Sequence, residues 1–162
     1  LLTTNATHPA FERDFFCPEK SMTVTEKDRD ILARTLWGEA RGERLAGQIA
    51  VAWTICNRVN DGKAKSWWGE GYAGVRQKPY QFSCWNRNDP NFAYLSDAKQ
   101  IPFRELAQAR IAADQVIDGK VPDPTGGATH YYATAMKNTP VWAVKAKQTV
   151  VIGGHVFFKD VP

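Results

Sequence analysis

The feature that most limits how this chain can fold is the stretch LAGQIAVAWTICNRV, residues 45–59. Ile49, Ala50, Trp53, Ile55, Cys56 and Val59 give a helix over 44–59 a nearly continuous apolar middle. A helix that is apolar almost all round has to be enclosed by other elements. The rest of the chain must therefore supply that enclosure.

Two further helices are legible. Thr25 reads as an N-cap, with Glu26 and Asp28 in the first turn where acids suit the helix dipole. Ile31, Leu32, Thr35 and Leu36 then recur at helical spacing, which predicts a helix over 26–40 that stops near Gly42. Pro102 suits a first helical position and Gly119 a stop, so a third helix runs from 102 to 118. Phe103, Leu106, Ala107, Ile111 and Ile117 mark its expected inner face. After that the period changes. ATHYYA, residues 128–133, is an extended run, and TVVI-GG-HVFF, 149–158, is a hairpin turning at Gly153-Gly154. The fold class is α+β, mostly helical, with a small β element and a C-terminal hairpin.

A chain of 162 residues suits one domain, here 23–162, preceded by an irregular arm at 1–22. Residues 60–100 are rich in Gly, Asn, Asp, Pro and aromatics, with a short helix expected around 67–77. This region either lines a groove or pads a small core. The net charge of +4 favours anionic surroundings, whether nucleic acid, acidic lipid or a bacterial envelope, and does not choose among them. Lys and Arg are scattered, and AVKAKQ at 143–148 is too thin for a nucleic-acid patch. No apolar stretch is long enough to span a membrane. The first residues lack the basic flank and apolar run of a secretory signal, so either a leader has been removed or export is handled otherwise. A monomer is expected. Cys17, Cys56 and Cys84 form no CxxC pair. Cys56 reads as a buried thiol, and Cys17 with Cys84 as a pair only if the fold joins them.

The chemistry points to LWGEARGE, residues 36–43, with acids at Glu39 and Glu43. Glu39 falls in the last turn of the first helix, where the helix end disfavours a carboxylate. Leu36 and Trp37 place apolar surface beside it, which also disfavours ionisation, while Arg41 opposes both. A carboxyl that keeps its proton suits a general acid for a glycosidic oxygen. The competing reading is a solvated turn with a local salt bridge. Glu43 assists Glu39, anchors the loop on backbone amides, or caps the next helix, and capping is the favoured role.

Several ordered blocks carry a resemblance: LWGEARGERLAGQIAVAWTICNRV, QFSCW, GGATHYYA, PVWA and VIGGHVFF. Over about residues 28–158 the chain resembles the cell wall hydrolase family of spore-cortex-lytic enzymes, which also has phage members. The resemblance implies a lysozyme-like fold, close to goose-type lysozymes and lytic transglycosylases. It implies cleavage of peptidoglycan glycan strands between N-acetylmuramic acid and N-acetylglucosamine, by lytic transglycosylation or hydrolysis, with Glu39 as the acid. A phage-type endolysin acting at the cell wall fits the basic charge. Gln81, Phe82 and Ser83 are expected at the cleft, Ser83 orienting Glu39 or meeting a sugar acetamido group. Of Tyr131 and Tyr132, one is expected buried and one facing the cleft. Trp85 offers a sugar-stacking face, while Trp53 and Trp142 read as core. Glu43 and His130 are supporting residues.

Two rival functions stand beside this one. A zinc-dependent N-acetylmuramoyl-L-alanine amidase would use His130 and His155 with a third ligand. No HxH or HExxH block is present, and His155 follows a turn where a structural role is favoured, so no metal or cofactor is expected. The other rival is a module that binds glycan without cutting it.

Overall fold

The computed structural model describes residues 24–60 and 82–162. The arm at 1–22, the short helix expected at 67–77, Cys17 and Gln81 lie outside the described residues. Helix α1 is Glu26–Ala40 and helix α2 is Leu45–Asn60. A 3-10 turn at Ser83–Trp85 and a one-turn helix α3, Phe92–Leu95, lead to helix α4, Phe103–Ile117. Strand β1 is His130–Ala133, β2 is Lys147–Ile152 and β3 is His155–Lys159, with a 3-10 turn at Val141–Val144 before β2. The strands form one antiparallel sheet in the order β1-β3-β2.

Helix α1 begins as expected. Thr25 accepts from the Asp28 N–H, and the Asp28 carboxylate accepts from the Thr25 N–H, so each satisfies an otherwise free amide. Its end differs. Arg41 keeps right-handed helical backbone, and Gly42 is not among the glycines at positive φ. The Ala40 carbonyl is instead taken by the Glu43 N–H and by Nε2 of the buried Gln48. A side chain from α2 thus ties down the turn that carries Glu39.

Helix α2 is the enclosed element, with Ala50, Val51, Ala52, Thr54 and Cys56 buried. Helices α1 and α4 pack on it and on each other. The buried side of α4 departs from expectation. Phe103 is 83% exposed and Ile111 50%, while Ala109, Ala112, Ala113 and Val116 are buried. Small side chains allow close helix approach around α2, Leu106 and Ile117 face the core as expected, and Phe103 and Ile111 are turned outward. At its C-terminus Gly119, φ +65°, stops α4: its N–H bonds to the Val116 carbonyl and the Lys120 N–H to the Gln115 carbonyl.

The sheet has two faces with separate cores. Tyr131 and Phe157 pack toward the helices. On the other face Val156, Phe158 and Ala143 form a small cluster with Tyr132 and Trp142 around it. Trp53 is core as expected, and Trp142 belongs to the second cluster. Cys56 is buried but disulfide-bonded rather than a thiol, and Cys84 is the free cysteine, which removes a Cys17–Cys84 pair. Cys56 sits inside the enclosed helix, where an apolar setting looks the same for a thiol or a bridge. Among the described residues no helix is long and apolar enough to cross a membrane.

Candidate active site

Glu39 sits in the last turn of α1, half-buried, facing the sheet. The Tyr131 hydroxyl donates to Glu39 Oε2 at 3.1 Å. Burial, reinforced by the Glu39 charge, pushes the Tyr131 phenol well above its ordinary range, so it stays a proton donor. A second polar neighbour of the carboxylate comes from the turn at Ser83–Trp85. Burial first, then the charge of Glu39 and a hydrogen bond to it, push the Cys84 thiol up. Cys84 lies against Gly38, whose missing side chain makes room: a Cβ there would be 2.7 Å from Cys84 Cβ and 2.8 Å from Sγ. Arg41 folds away from the carboxylate, 4.4 Å over the Trp37 ring and onto the Trp37 carbonyl.

The strand that brings Tyr131 is held by the last turns of α2. Asn57 Nδ2 donates to the Ala128 carbonyl at 2.9 Å and to Asp123 at 3.0 Å. Arg58 Nε donates to the Thr129 carbonyl at 2.6 Å, and its guanidinium lies 5.0 Å over the Phe82 ring. Arg58 is 6% exposed, a buried cation whose work is to fix the start of β1. Asp123 in turn accepts from the Thr125 and Gly127 N–H groups, closing the loop before β1.

Glu43 does not cap α2. Its carboxylate accepts from the Gly154 N–H at 3.1 and 3.2 Å and lies 3.3 Å from His155 Nδ1. The anchoring role therefore replaces the capping one, because the hairpin turn comes within reach of the carboxylate.

The remaining expected site residues divide. Phe82, 3% exposed, is core under Arg58 rather than a cleft wall. Ser83 is exposed, and Cys84 is the residue of that block turned to Glu39. In a 3-10 turn successive residues point in different directions, so a one-residue error reverses the assignment. Trp85 is anchored to α1 through Nε1 to Thr35 Oγ1 at 2.9 Å. Tyr132 stacks on Phe158 at 5.5 Å, and His130 lies 5.0 Å from Trp142, both on the face away from Glu39. Strand alternation separates Tyr131 from Tyr132 as anticipated. It also puts His130 and His155 on opposite faces of the sheet, which splits the ligand pair an amidase would need. Sequence reasoning missed Cys84, Asn57 and Arg58; only the polar NR pair ending an apolar helix hinted at the last two.

Helices wrapped round a buried one, with a small sheet closing on a helix-end carboxylate, give this domain a lysozyme-like fold of the kind that lytic transglycosylases share. It is similar to the catalytic domain of the germination-specific lytic transglycosylase SleB from Bacillus anthracis, with 29% identity and a TM-score of 0.63 over 86% of this chain and 99% of that one. For the catalytic domain of the Bacillus cereus SleB protein the values are 27% and 0.61 over 86% and 94%. The chain belongs to the cell wall hydrolase family, whose model matches residues 42–158. Glu39 lies just ahead of that span. A spore cortex-lytic enzyme of Halalkalibacterium halodurans is 32% identical over 82% of this chain and 35% of its own length. One from Bacillus subtilis is 31% identical over 82% and 38%. The chain spans less than half the length of these curated relatives.

Proposed function

We propose that this domain cuts the glycan strands of peptidoglycan between N-acetylmuramic acid and N-acetylglucosamine, with Glu39 as general acid and then general base. The observation that carries this reading is the Tyr131 hydroxyl at 3.1 Å from Glu39 Oε2. It gives a helix-end carboxyl a fixed direction and a donor that follows it through both protonation states. The relatives are named as spore cortex-lytic enzymes and a lytic transglycosylase, which supports the substrate class.

In the first step Glu39 gives its proton to the bridging oxygen as the bond to muramoyl C1 breaks and oxocarbenium character develops. The muramoyl 6-hydroxyl then attacks C1, and its proton returns to Glu39. The products are a 1,6-anhydro end and a free 4-hydroxyl, with no water consumed. In the hydrolytic alternative water is usually positioned by a second acid or a polar side chain. Glu43, the neighbouring acid in sequence, is engaged with Gly154 and His155, which favours the transglycosylase route. The net positive charge assists approach to an anionic envelope, as a phage-type endolysin or as part of a bacterial wall enzyme.

Purified sacculi and spore cortex are the substrates for the test. Glu39→Gln keeps the shape and removes the acid, and turnover should fall by about 10²-fold or more. An unchanged rate would overturn the reading. Mass spectrometry of the wild-type digest should show termini lighter than the hydrolysed form by one water.

A further inference from the structure

Glu43 is the acid the proposed reaction leaves unused, yet its surroundings are built with care. Its side chain is 18% exposed and that of His155 12%. A carboxylate so enclosed needs partners, and the Gly154 N–H supplies one. The hairpin turn has no side chains where the carboxylate lies. A Cβ on Gly153 would collide with Glu43 Oε2, and one on Gly154 would lie 2.7 Å from Oε1. His155 Nδ1 is sealed from solvent without an aligned hydrogen-bond partner, and Glu43 Oε1 at 3.3 Å is the acceptor a small ring rotation reaches.

The other side of the imidazole meets Tyr131. The two rings stand edge to face, centroids 5.1 Å apart and 87° between planes, with Phe157 beside both. Tyr131 lies on a four-residue strand at the edge of the sheet, so among the described residues its backbone has a strand on one side only. Lateral support for its ring comes from His155. The turn after α1, the hairpin turn and the Tyr131 ring are thus joined in sequence, and the far end of that series is the hydroxyl on Glu39.

We propose that Glu43 and His155 are a positioning pair that holds the Tyr131 phenol on Glu39, an inference that rests on the general-acid reading of Glu39. Neither touches the sugar. They act by fixing the hairpin against the end of α1.

A double-mutant cycle on wall digestion tests it. His155→Gln should lower kcat about tenfold with KM little changed. In the Tyr131→Phe background the same substitution should cost almost nothing, since no phenol remains to be positioned. Glu43→Gln, which keeps an acceptor for the Gly154 N–H, should retain most of the rate that Glu43→Ala loses. His155→Phe, which preserves ring packing, guards against a variant that fails to fold. Losses that multiply in the double variants, or a wild-type kcat in His155→Gln, would overturn the pair. Should Glu39→Gln be inactive while the cycle is additive, only this inference falls. Should Glu39→Gln remain active, the reading beneath it falls as well.

Discussion

At Gly38 one missing methyl group decides the make-up of the site. Cys84 occupies the space over that residue and directs its thiol to Glu39. Gly38→Ala forces Cβ into a short, inflexible side chain, so it should cost about 1–3 kcal/mol in chemical denaturation. It should also lower activity, because the carboxylate neighbour moves with Cys84. Cys84→Ser keeps a donor and should be milder in both assays. At Tyr131 the phenol donates to Glu39, and Tyr131→Phe should reduce kcat about tenfold while leaving the ring packed on Phe157. The place of Glu39 at a helix end was legible in the sequence because helix caps and periodicity are local facts. Cys84 was not, since its part depends on a glycine 46 positions earlier meeting it in space.

The elements differ in how far local signals determined them. Helix α1 carries its own start in Thr25 and Asp28, and α4 its own stop in Gly119. Thr25→Ala should cost about 1 kcal/mol of stability, read from a denaturation midpoint, because it leaves a helix N–H without its acceptor. The hairpin was clear from Gly153-Gly154, but the reason both residues are glycine was not. Gly153 has φ +55° and Glu43 lies where its side chain would be. Gly153→Ala should therefore destabilise by more than the roughly 1 kcal/mol of left-handed backbone strain alone. The inner face of α4 was read correctly at Leu106 and Ile117 and misread at Phe103 and Ile111, whose size drew the assignment. At those levels burial went to Ala109, Ala112 and Ala113, since close approach of three helices rewards small side chains.

For the whole molecule, acid should weaken the fold in two stages. Burial, followed by the charge of Arg58, lowers the His130 pKa from 6.5 to about 4. The unfolded chain then takes up a proton that the folded ring refuses. Stability from this source is complete above 6.5, falls as pH drops toward about 4, and is level below that. The half-buried His155, lowered by desolvation, adds to the loss in the same direction. Asp118, lowered from 3.8 mainly by Arg29, adds a later loss as pH falls further. Urea denaturation at pH 7 and pH 4.5 should differ by on the order of 1–2 kcal/mol from His130, after allowance for its partial exposure. His130→Asn should remove that part of the difference. The sequence by itself determined the enclosed helix, its two neighbours, the terminal hairpin and Glu39 at a helix end, because periodicity, caps and turn residues act within a few positions. Only the tertiary structure decided which tyrosine meets Glu39, that Glu43 serves the hairpin, that Cys84 stays free and that the two histidines face opposite ways. Those outcomes depend on strand register and on how closely helices approach, which no short segment of the chain encodes.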